Sequence, residues 1–576
     1  MGSRRFWSFV RRHLRAYLLG YAAALCAVAA AQVSPWVLRA AVDRVQRGAP
    51  GVEVFAAALL GLALGEAAFS YAMRWQILGA AFRIEAELRE ALFAHLQGLD
   101  AGFFHRWRTG DLMARAVSDV RAVQRFAGVG LMRSFHTVVM VASSVAFMLA
   151  TSPRLTAVTM AILPGATVLF VVLGRRIHRR FEVVQERFSD LSVLSQENFS
   201  GIRVVKAYAR EAAEVHRFRA TAEDLAAAQV RLARVQGALW PAVGLVLGTA
   251  AVALLWEGGR LVASGELTLG QLVQFSYYLA RLSFPMIAAG WVLNLWQQGR
   301  ASMARLEEVF RAKPRVQDPP APVILPAVRG DLLFRGVWFA YDGRAVLRDV
   351  NLHIPAGRTV ALVGPTGAGK STLVSLVPRL FDPTRGSVLL DGVDLRDLPL
   401  RTVRGAVGFV SQDPFLFSDT LYANVALGSE DDGRVREAFR MARLAKDLDQ
   451  LPGGWHTLVG ERGVTLSGGQ RQRAALARAL ARDPRILILD DALSSVDAQT
   501  EAEILAELRS VLASRTAIVI THRLAALEEV VDWVVVLDAG RVVEEGTHRD
   551  LVRRGGLYAE LYEQQRLREA LEVEAP

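Results

Sequence analysis

Six apolar stretches of membrane length occupy the first half of the chain, and they constrain its fold more than any other feature. Each is about 20 residues long, which is the length that an α-helix needs to cross the hydrocarbon core of a bilayer. They cover residues 17–38, 54–75, 128–151, 155–174, 238–256 and 269–293. The whole chain is nevertheless 22% charged. We therefore expect a membrane part and a water-exposed part in one polypeptide.

The arginines between these spans indicate the membrane topology. Short loops join the spans in pairs, whereas two long, arginine-rich and helix-patterned segments separate the pairs. Positively charged segments usually remain in the cytoplasm, so both are expected to be cytoplasmic extensions of the membrane helices. The net charge is +11. Because the arginines cluster beside apolar spans, we expect them to contact the lipid bilayer and not a nucleic acid.

Composition also divides the chain into domains. Residues 3–15 alternate basic and bulky apolar residues at helical spacing, which predicts an amphipathic helix lying on the cytoplasmic membrane face. A proline-rich linker at 311–328 separates the predicted membrane domain, residues 1–310, from a predicted α/β domain at 329–565. The remaining residues, 566–576, are expected to form a loose tail.

A glycine-rich loop in the second half indicates nucleotide chemistry. It follows a strand-like apolar run and precedes a helical one, which is the context in which a phosphate-binding P-loop forms. Lys370 is expected to reach the β- and γ-phosphates of ATP, and the Ser371 hydroxyl to ligate Mg²⁺. The predicted ATP-binding residues of this loop are Gly364, Pro365, Thr366, Gly367, Ala368, Gly369, Lys370, Ser371 and Thr372.

Two further motifs follow the loop in order. Residues 466–470 read Leu-Ser-Gly-Gly-Gln, and a buried strand is predicted to end at Asp490, a carboxylate suited to holding Mg²⁺. With these motifs the chain resembles an ABC transporter. In that family the signature sequence binds the ATP that a partner subunit holds, so the resemblance implies a dimer. The signature residues are Leu466, Ser467, Gly468, Gly469 and Gln470.

The resemblance assigns roles to residues outside these motifs. It implies that Tyr341 stacks on adenine, that Gln412 senses Mg²⁺ and the attacking water, and that His522 is a switch histidine. Residues 459–463 match a segment that touches the partner's membrane domain. The expected D-loop residues are Ser494, Ser495, Val496 and Asp497. Taken singly, Tyr341 is equally typical of a core aromatic, Gln412 of a surface amide and His522 of a helix cap.

The membrane half matches the same family. Regions near 103–112 and 197–211 resemble the two cytoplasmic loops whose short coupling helices dock on nucleotide domains. The order of the domains is that of half-size exporters, which work as dimers. The resemblance thus implies ATP-driven export of an amphiphilic small molecule, peptide or lipid across the bacterial inner membrane. It also implies that the N-terminus and the nucleotide domain are cytoplasmic.

One position departs from the family pattern. Asp491 follows Asp490 where the family usually has the glutamate that polarises the attacking water. Aspartate is one methylene shorter, and a misplacement of about 1 Å can cost roughly 100-fold in rate. We therefore expect slow hydrolysis here and a heterodimer whose partner carries the glutamate. The alternatives are a homodimeric lipid flippase or drug exporter, in which Asp491 suffices, and an ATP-gated regulatory protein with little transport.

Two charged residues lie within predicted membrane spans. Glu66 falls in the span at 54–75 and Arg281 in the span at 269–293. Charges inside the membrane usually face a substrate path or pair with one another. We expect Glu66 and Arg281 to face a shared, water-accessible cavity that suits amphiphilic cargo. The alternative is a purely structural ion pair between two helices.

Overall fold

The computed structural model describes residues 4–460, 463, 466–496, 498–521 and 531–574, and the chain divides into two compact units. The first unit comprises Met1–Gln97 and Thr109–Arg311, and the second comprises Gly98–Arg108 and Ala312–Pro576. The segment Gly98–Arg108 was expected in the membrane domain of residues 1–310, yet it belongs to the second unit. Its contacts, described with the site below, give the physical reason.

Long helices build the first unit. In chain order, and including the short α4 of the second unit, the helices are α1 (Arg4–Arg12), α2 (Leu14–Gln46), α3 (Val52–Gln97), α4 (Ala101–Arg106), α5 (Thr109–Thr151), α6 (Pro153–Ser200), α7 (Ile202–Ala207), α8 (Glu211–Ala263) and α9 (Leu269–Arg311). Two π-helical turns, Arg115–Asp119 and Phe126–Gly130, interrupt α5. The short helices α4 and α7 lie in the two loop regions predicted near 103–112 and 197–211.

Four of these helices, α2, α3, α5 and α8, contain an apolar window long enough to cross a membrane, as judged over the described residues. They hold the spans predicted at 17–38, 54–75, 128–151 and 238–256. The spans predicted at 155–174 and 269–293 fall in α6 and α9, where several side chains lie outside the described set. Most of these helices run well past the predicted spans, as the cytoplasmic extensions required.

Packing of the first unit follows the sequence order. Helix α2 packs along α3, and α6 packs along α8. The turn between α5 and α6 is short because Ser152 caps α6 by accepting a hydrogen bond from the Leu155 N–H, with Pro153 in the first helical turn. The amphipathic α1 buries Phe6, Phe9 and Val10, while Arg5, Arg11 and Arg12 remain exposed.

Two sheets form the second unit. The strands are β1 (Leu332–Tyr341), β2 (Arg344–Ile354), β3 (Thr359–Val363), β4 (Arg385–Leu390), β5 (Val393–Asp394), β6 (Val407–Val410), β7 (Ile486–Asp490), β8 (Thr516–Ile520), β9 (Trp533–Asp538) and β10 (Arg541–Gly546). An antiparallel sheet has the order β2-β1-β4-β5, and a second sheet has the order β10-β9-β3-β8-β7-β6. In the second sheet only the β10–β9 pair is antiparallel among the described strands.

Both faces of the larger sheet are buried, as its continuous apolar strands require. Alternate residues of β3 point to opposite faces: Val360 and Leu362 join a core with the antiparallel sheet, whereas Ala361 and Val363 join a core with helices. The helices of this unit are α10 (Lys370–Ser375), α11 (Leu400–Ala406), α12 (Leu421–Ala426), α13 (Asp432–Met441), α14 (Gly468–Ala481), α15 (Ala498–Leu512), α16 (His548–Arg554) and α17 (Leu557–Glu574).

The last helix corrects one expectation. Residues 566–576 were expected to be a loose tail, but α17 continues to Glu574. The segment is rich in leucine, glutamate, arginine and alanine and has no glycine or proline before Pro576, so helix propensity favours its continuation. At the start of α17, the backbone N–H groups of Leu557 and Tyr558 donate to the Glu544 carboxylate.

Candidate functional site

The order of the parallel strands brings the predicted nucleotide residues to one edge of the larger sheet. The P-loop follows β3, Asp490 ends β7, and Gln412 follows β6. Strand β8 lies between β3 and β7. The carboxyl ends of parallel strands meet at one edge of a sheet, where ligands bind in folds of this type. The sheet topology therefore gathers three motifs that are far apart in sequence.

The P-loop is held in place by its glycines. Gly364 has a φ of +148°, and a Cβ at this position would lie 2.0 Å from the carbonyl oxygen of Leu537 in β9. Gly369, at the N-terminus of α10, has a φ of +102°. Backbone conformations of this kind are nearly closed to other residues. The loop thus passes close under β9 and turns directly into α10.

Lys370 and Ser371 both have partners within the site. The Lys370 ammonium donates to the carbonyl oxygens of Gly364 at 2.7 Å and Pro365 at 2.9 Å. The Ser371 hydroxyl donates to a carboxylate oxygen of Asp490 at 3.1 Å. Burial lowers the pKa of Lys370, while the nearby carboxylates of Asp490 and Asp491 oppose this shift. The P-loop and the end of β7 are therefore joined directly.

A cavity of about 300 Å³ lies over this edge. Its lining includes these predicted residues: Tyr341, Thr366, Gly367, Gly369, Lys370, Ser371, Thr372, Gln412, Asp490 and Asp491. Val346 and Ile520 also line it and were not predicted. Gly364, Pro365 and Ala368 instead form the floor of the loop: Ala368 is buried, and its carbonyl oxygen accepts from the Gly540 N–H.

The donor set at the edge of the cavity fits a magnesium ion. Ser371 offers a hydroxyl oxygen, Asp490 a carboxylate and Gln412 an amide oxygen, and Mg²⁺ prefers oxygen ligands of these kinds. Ser371 and Asp490 are already within hydrogen-bonding distance of one another. The three predicted Mg²⁺ residues thus line the same cavity.

The backbone of Asp491 is fixed on both sides. Its φ is +50°, and its N–H donates to the Ile520 carbonyl oxygen at 2.8 Å. Its own carbonyl oxygen accepts from the Ser494 hydroxyl at 3.1 Å and from the Gln472 amide at 3.5 Å. The side chain is buried and lines the cavity beside Asp490. Because the backbone is fixed, the length of the Asp491 side chain determines how far its carboxylate extends into the cavity.

Tyr341 lies in an aromatic cluster at the other end of the cavity. Its ring meets Phe339 and Phe381 edge-on, with centroids 4.8 and 5.5 Å away. The imidazole of His105, from α4, stacks on Tyr341 at 5.4 Å with an interplanar angle of 19°. Asp100, just before α4, accepts from the Arg315 N–H at 2.8 Å. These contacts explain why the segment Gly98–Arg108 belongs to the second unit.

The signature residues lie outside this cavity, at the start of α14. The Ser467 hydroxyl accepts from the Gln470 N–H, and the Gln470 side chain accepts from the Ser467 N–H, which is a complete capping box. Of the other predicted residues, Ser494, Ser495 and Val496 are described, whereas Glu461, Asp497 and His522 lie outside the described residues. The signature therefore presents a well-capped helix N-terminus.

Comparisons with known proteins agree with this geometry. A model of the ABC transporter transmembrane region matches residues 17–286, and a model of the ABC transporter family matches residues 347–494. The chain is 37% identical over 565 residues to a probable multidrug resistance ABC transporter ATP-binding/permease protein of Bacillus subtilis (strain 168), with 96% of each covered. The chain belongs to the ABC transporter family.

Two further relatives indicate the type of ABC transporter. The chain is 34% identical over 502 residues to an ATP-dependent lipid A-core flippase of Desulfotalea psychrophila (strain LSv54 / DSM 12343), covering 86% of the chain and 87% of the relative. It also matches the structure of a bacterial Atm1-family ABC exporter with ATP bound, with a TM-score of 0.78, 31% identity, and 96% and 98% of the two chains covered. The predicted fold, a helical membrane domain before an ATPase domain, is confirmed.

The ABC transporter is thus a membrane-spanning exporter that binds ATP and couples its hydrolysis to transport. Exporters of this family function as dimers in a membrane. The fused order of the two domains is that of a half-size exporter.

One residue that was not predicted from the sequence connects the signature helix α14 to the D-loop residues Ser494 and Ser495. Gln472 is buried on α14, where its amide donates to the Ser494 hydroxyl at 2.9 Å and accepts from the Ser495 N–H at 2.8 Å. Gln472 lies among alanines on the buried side of α14. Because buried polar groups need partners, a glutamine on an apolar helix face is the signal that could have found it.

In the exporter's membrane unit, Glu66 and Arg281 form an ion pair. The Arg281 guanidinium donates to the two carboxylate oxygens of Glu66 at 3.3 and 3.1 Å, and to the Tyr277 hydroxyl at 3.1 Å. Arg281 also lines a cavity of about 230 Å³ between α5 and α9. The ion pair that was weighed as the alternative is therefore present, whereas only Arg281 of the pair lines this cavity, and a shared cavity role for both residues stays a prediction.

Proposed function

We propose that this exporter moves amphiphilic substrates outward across the bacterial inner membrane as one half of a heterodimer. Its own P-loop binds ATP and hydrolyses it slowly, and the second half-transporter subunit contributes the faster site. The observation that carries this proposal is Asp491, an aspartate fixed at the place of the usual glutamate. The multidrug and lipid A-core relatives support a drug-like or lipid substrate.

Each residue of the cavity has a role in this proposal. Tyr341 stacks on the adenine. Lys370 binds the β- and γ-phosphates through its ammonium group, the same group that donates to the carbonyl oxygens of Gly364 and Pro365. Ser371, Asp490 and Gln412 hold Mg²⁺, which neutralises phosphate charge when bound. Asp491 occupies the position of the general base that orients the attacking water, but its carboxylate is too short to do so efficiently. His522, outside the described residues, is the proposed switch histidine.

The fixed backbone makes the short side chain of Asp491 decisive. Hydrogen bonds to Ile520 on one side and to Ser494 on the other prevent the residue from advancing toward the phosphates. The missing methylene therefore leaves the carboxylate about 1 Å short, and a displacement of this size can cost roughly 100-fold in rate. In contrast, nothing in the P-loop or at Asp490 departs from an ATP-binding arrangement.

The signature faces the partner's nucleotide in this proposal. The capping box at Ser467 and Gln470 holds the first turn of α14, whose N-terminus favours anionic ligands. The D-loop residues Ser494, Ser495 and Val496, with Asp497 outside the described residues, lie beside it in the dimer interface. The intact signature thus completes the partner's faster site.

The membrane orientation follows from the same proposal. Arg175, Arg176, Arg179 and Arg180 are exposed on α6 just beyond the span at 155–174, and such arginine-rich extensions remain in the cytoplasm. Chain direction then places the N-terminus and the ATPase domain in the cytoplasm. The amphipathic α1 lies along the cytoplasmic membrane face.

The test is the steady-state ATPase activity of the purified chain without a partner. We expect the wild-type chain to be slow, and Asp491→Glu to be faster by roughly 10- to 100-fold because the longer side chain regains its reach. Asp491→Asn, which keeps the size but removes the base, should lie close to wild type. Lys370→Ala serves as the control for contaminating ATPases.

The opposite result is equally informative. If the wild-type chain alone turns over at roughly 10 per minute or faster, within the range of modest enzymes, and Asp491→Asn abolishes this activity, Asp491 is an adequate base. The heterodimer proposal then fails, and the chain is a homodimeric flippase or drug exporter.

A further inference from the structure

The cavity between α5 and α9 is built from a regular pattern of side chains. From α5 they are Arg133, His136, Thr137 and Met140, and from α9 they include Arg281 and Pro285. The four α5 residues follow the spacing i, i+3, i+4 and i+7, so they share one face of the helix. The cavity is therefore formed between one face of α5 and side chains of α9.

Basic groups outnumber acidic groups around this cavity. The electrostatic neighbours of the His136 ring are Arg74, Arg133, Arg281 and Glu66, within the described part of the chain. Three arginines against one glutamate leave an excess of two positive charges, before any contribution from His136 itself. Such charges are costly inside apolar membrane segments, and they mark substrate paths when they face a cavity.

The position of Arg281 is fixed before any ligand binds. Glu66 and the Tyr277 hydroxyl together accept three of its hydrogen bonds, and its guanidinium lies 5.1 Å from the centre of the Tyr277 ring. Arg281 still lines the cavity in this arrangement. A planar guanidinium held in this way is suited to carboxylate and phosphate groups. Met140 and Pro285 add apolar surface beside it.

We propose that this cavity binds the anionic headgroup of an amphiphilic substrate, a carboxylate, phosphate or similar oxyanion, and that the exporter prefers anionic over cationic amphiphiles. The excess positive charge attracts the headgroup, while the apolar helix surfaces accept the hydrocarbon part. The inference rests on the proposed export function and deepens it by naming the charge class of the substrate.

The first test compares two amphiphiles with the same tail and opposite permanent charge. Decyl sulfate and decyltrimethylammonium are titrated onto the full chain in phosphatidylcholine nanodiscs, and the Kd of each is measured by quenching of tryptophan fluorescence. We expect decyl sulfate to bind at least about tenfold more tightly, as the excess of nearby positive charge predicts. Equal binding, or tighter binding of the cation, overturns the proposal.

Variants test whether the preference for the anionic amphiphile arises in this cavity. Arg133→Gln should weaken decyl sulfate binding by about tenfold and leave the cation unaffected or tighter. The double variant Glu66→Gln with Arg281→Gln leaves the excess of two positive charges unchanged and removes only the guanidinium that contacts the headgroup, without an unpaired buried charge. Weaker binding of decyl sulfate in this variant therefore assigns the headgroup contact to Arg281 even if Arg133→Gln fails to fold. Arg187→Gln, on the exposed cytoplasmic part of α6, is the matched control. The proposal is contradicted if the ratio of the two Kd values, for decyl sulfate and decyltrimethylammonium, stays at its wild-type value in both cavity variants.

Transport measurements distinguish a bilayer phospholipid from a dissolved amphiphile as the ligand. They also test export separately from anion binding. ATP-dependent flipping of fluorescent phosphatidylglycerol but not phosphatidylcholine supports a bilayer phospholipid as the substrate. ATP-dependent movement of decyl sulfate alone supports a dissolved amphiphile. If the cavity shows the predicted charge preference but no amphiphile moves with ATP even in the Asp491→Glu chain, export of amphiphiles is refuted and the anion site stands. If cationic amphiphiles are exported and anionic ones are not, the anion site is refuted and export stands.

Discussion

A single methyl group at Gly364 tests how tightly the P-loop is packed under β9. In Gly364→Ala the new Cβ would lie 2.0 Å from the carbonyl oxygen of Leu537, whereas ordinary contact begins at 3.4 Å. The loop and the strand would therefore have to separate by the difference, about 1.4 Å. The nearest atoms belong to the backbone of β9, which pairs with β3 and β10, so they cannot rotate aside as a side chain would.

The size of the effect follows from two contributions. Overpacking a dense site costs about 1–3 kcal/mol. A φ of +148° is tolerated by glycine, and forcing alanine into it adds about 1–3 kcal/mol. The free energy of unfolding should therefore fall by about 2–6 kcal/mol, which for a domain of about 250 residues lowers Tm by roughly 4–24 °C.

The assay is thermal unfolding of the full chain in detergent, followed by tryptophan fluorescence without nucleotide. Gly555→Ala is the control for the backbone contribution alone, because its φ is +66° and no heavy atom lies within 4 Å of the new Cβ. Gly405→Ala, inside α11 with open space around it, should leave Tm unchanged or raise it slightly. If Gly364→Ala melts within about 2 °C of Gly555→Ala, the contact with Leu537 is not rigid and the reasoning is wrong.

Substitutions at three further positions probe the ATP site and the D-loop beside it. Lys370→Ala should abolish binding of fluorescent ATP, whereas Lys370→Arg, which keeps the charge, should bind weakly. Tyr341→Ala should raise the Kd for ATP by about 5- to 100-fold because a stacked base is worth about 1–3 kcal/mol, and Tyr341→Phe should bind as wild type does. Gln472→Leu should lower kcat more than it raises KM in the complete dimer, since it releases Ser494, Ser495 and the Asp491 carbonyl but no residue proposed to bind ATP or Mg²⁺. The reverse pattern would refute a D-loop role.

Motifs with local chemistry were predictable from the sequence. The glycine loop between a strand and a helix, and the apolar strand that ends in Asp490, each depend on neighbouring residues and on backbone geometry. The observed β3, α10 and β7 lie where these patterns put them. The sheet order then brings them together, which follows from the general rule for parallel strands and not from any single residue.

Contacts between distant segments could not be predicted in the same way. Nothing in residues 98–108 alone shows that His105 stacks on Tyr341 or that Asp100 binds the Arg315 N–H. These contacts join residues that are far apart in the sequence, and they depend on how the segment packs within its own unit. For Glu66 and Arg281 the sequence predicted a shared cavity and left an ion pair as the alternative. Which of these forms, and that Arg281 lines a cavity between α5 and α9, depends on how the helices pack.

In the proposed heterodimer, the backbone around Gln472 bears on how a slower site and an intact signature can occur in one chain. Helix α14 begins at the signature, and its Gln472 holds Ser494 and Ser495, which directly follow the turn that carries Asp491. A backbone shift at Asp491 would therefore be transmitted to the signature helix, and so to the partner's site. Exchanging glutamate for aspartate shortens a side chain without moving this backbone. It is thus a change that slows the chain's own site while it leaves undisturbed the surface that a partner requires.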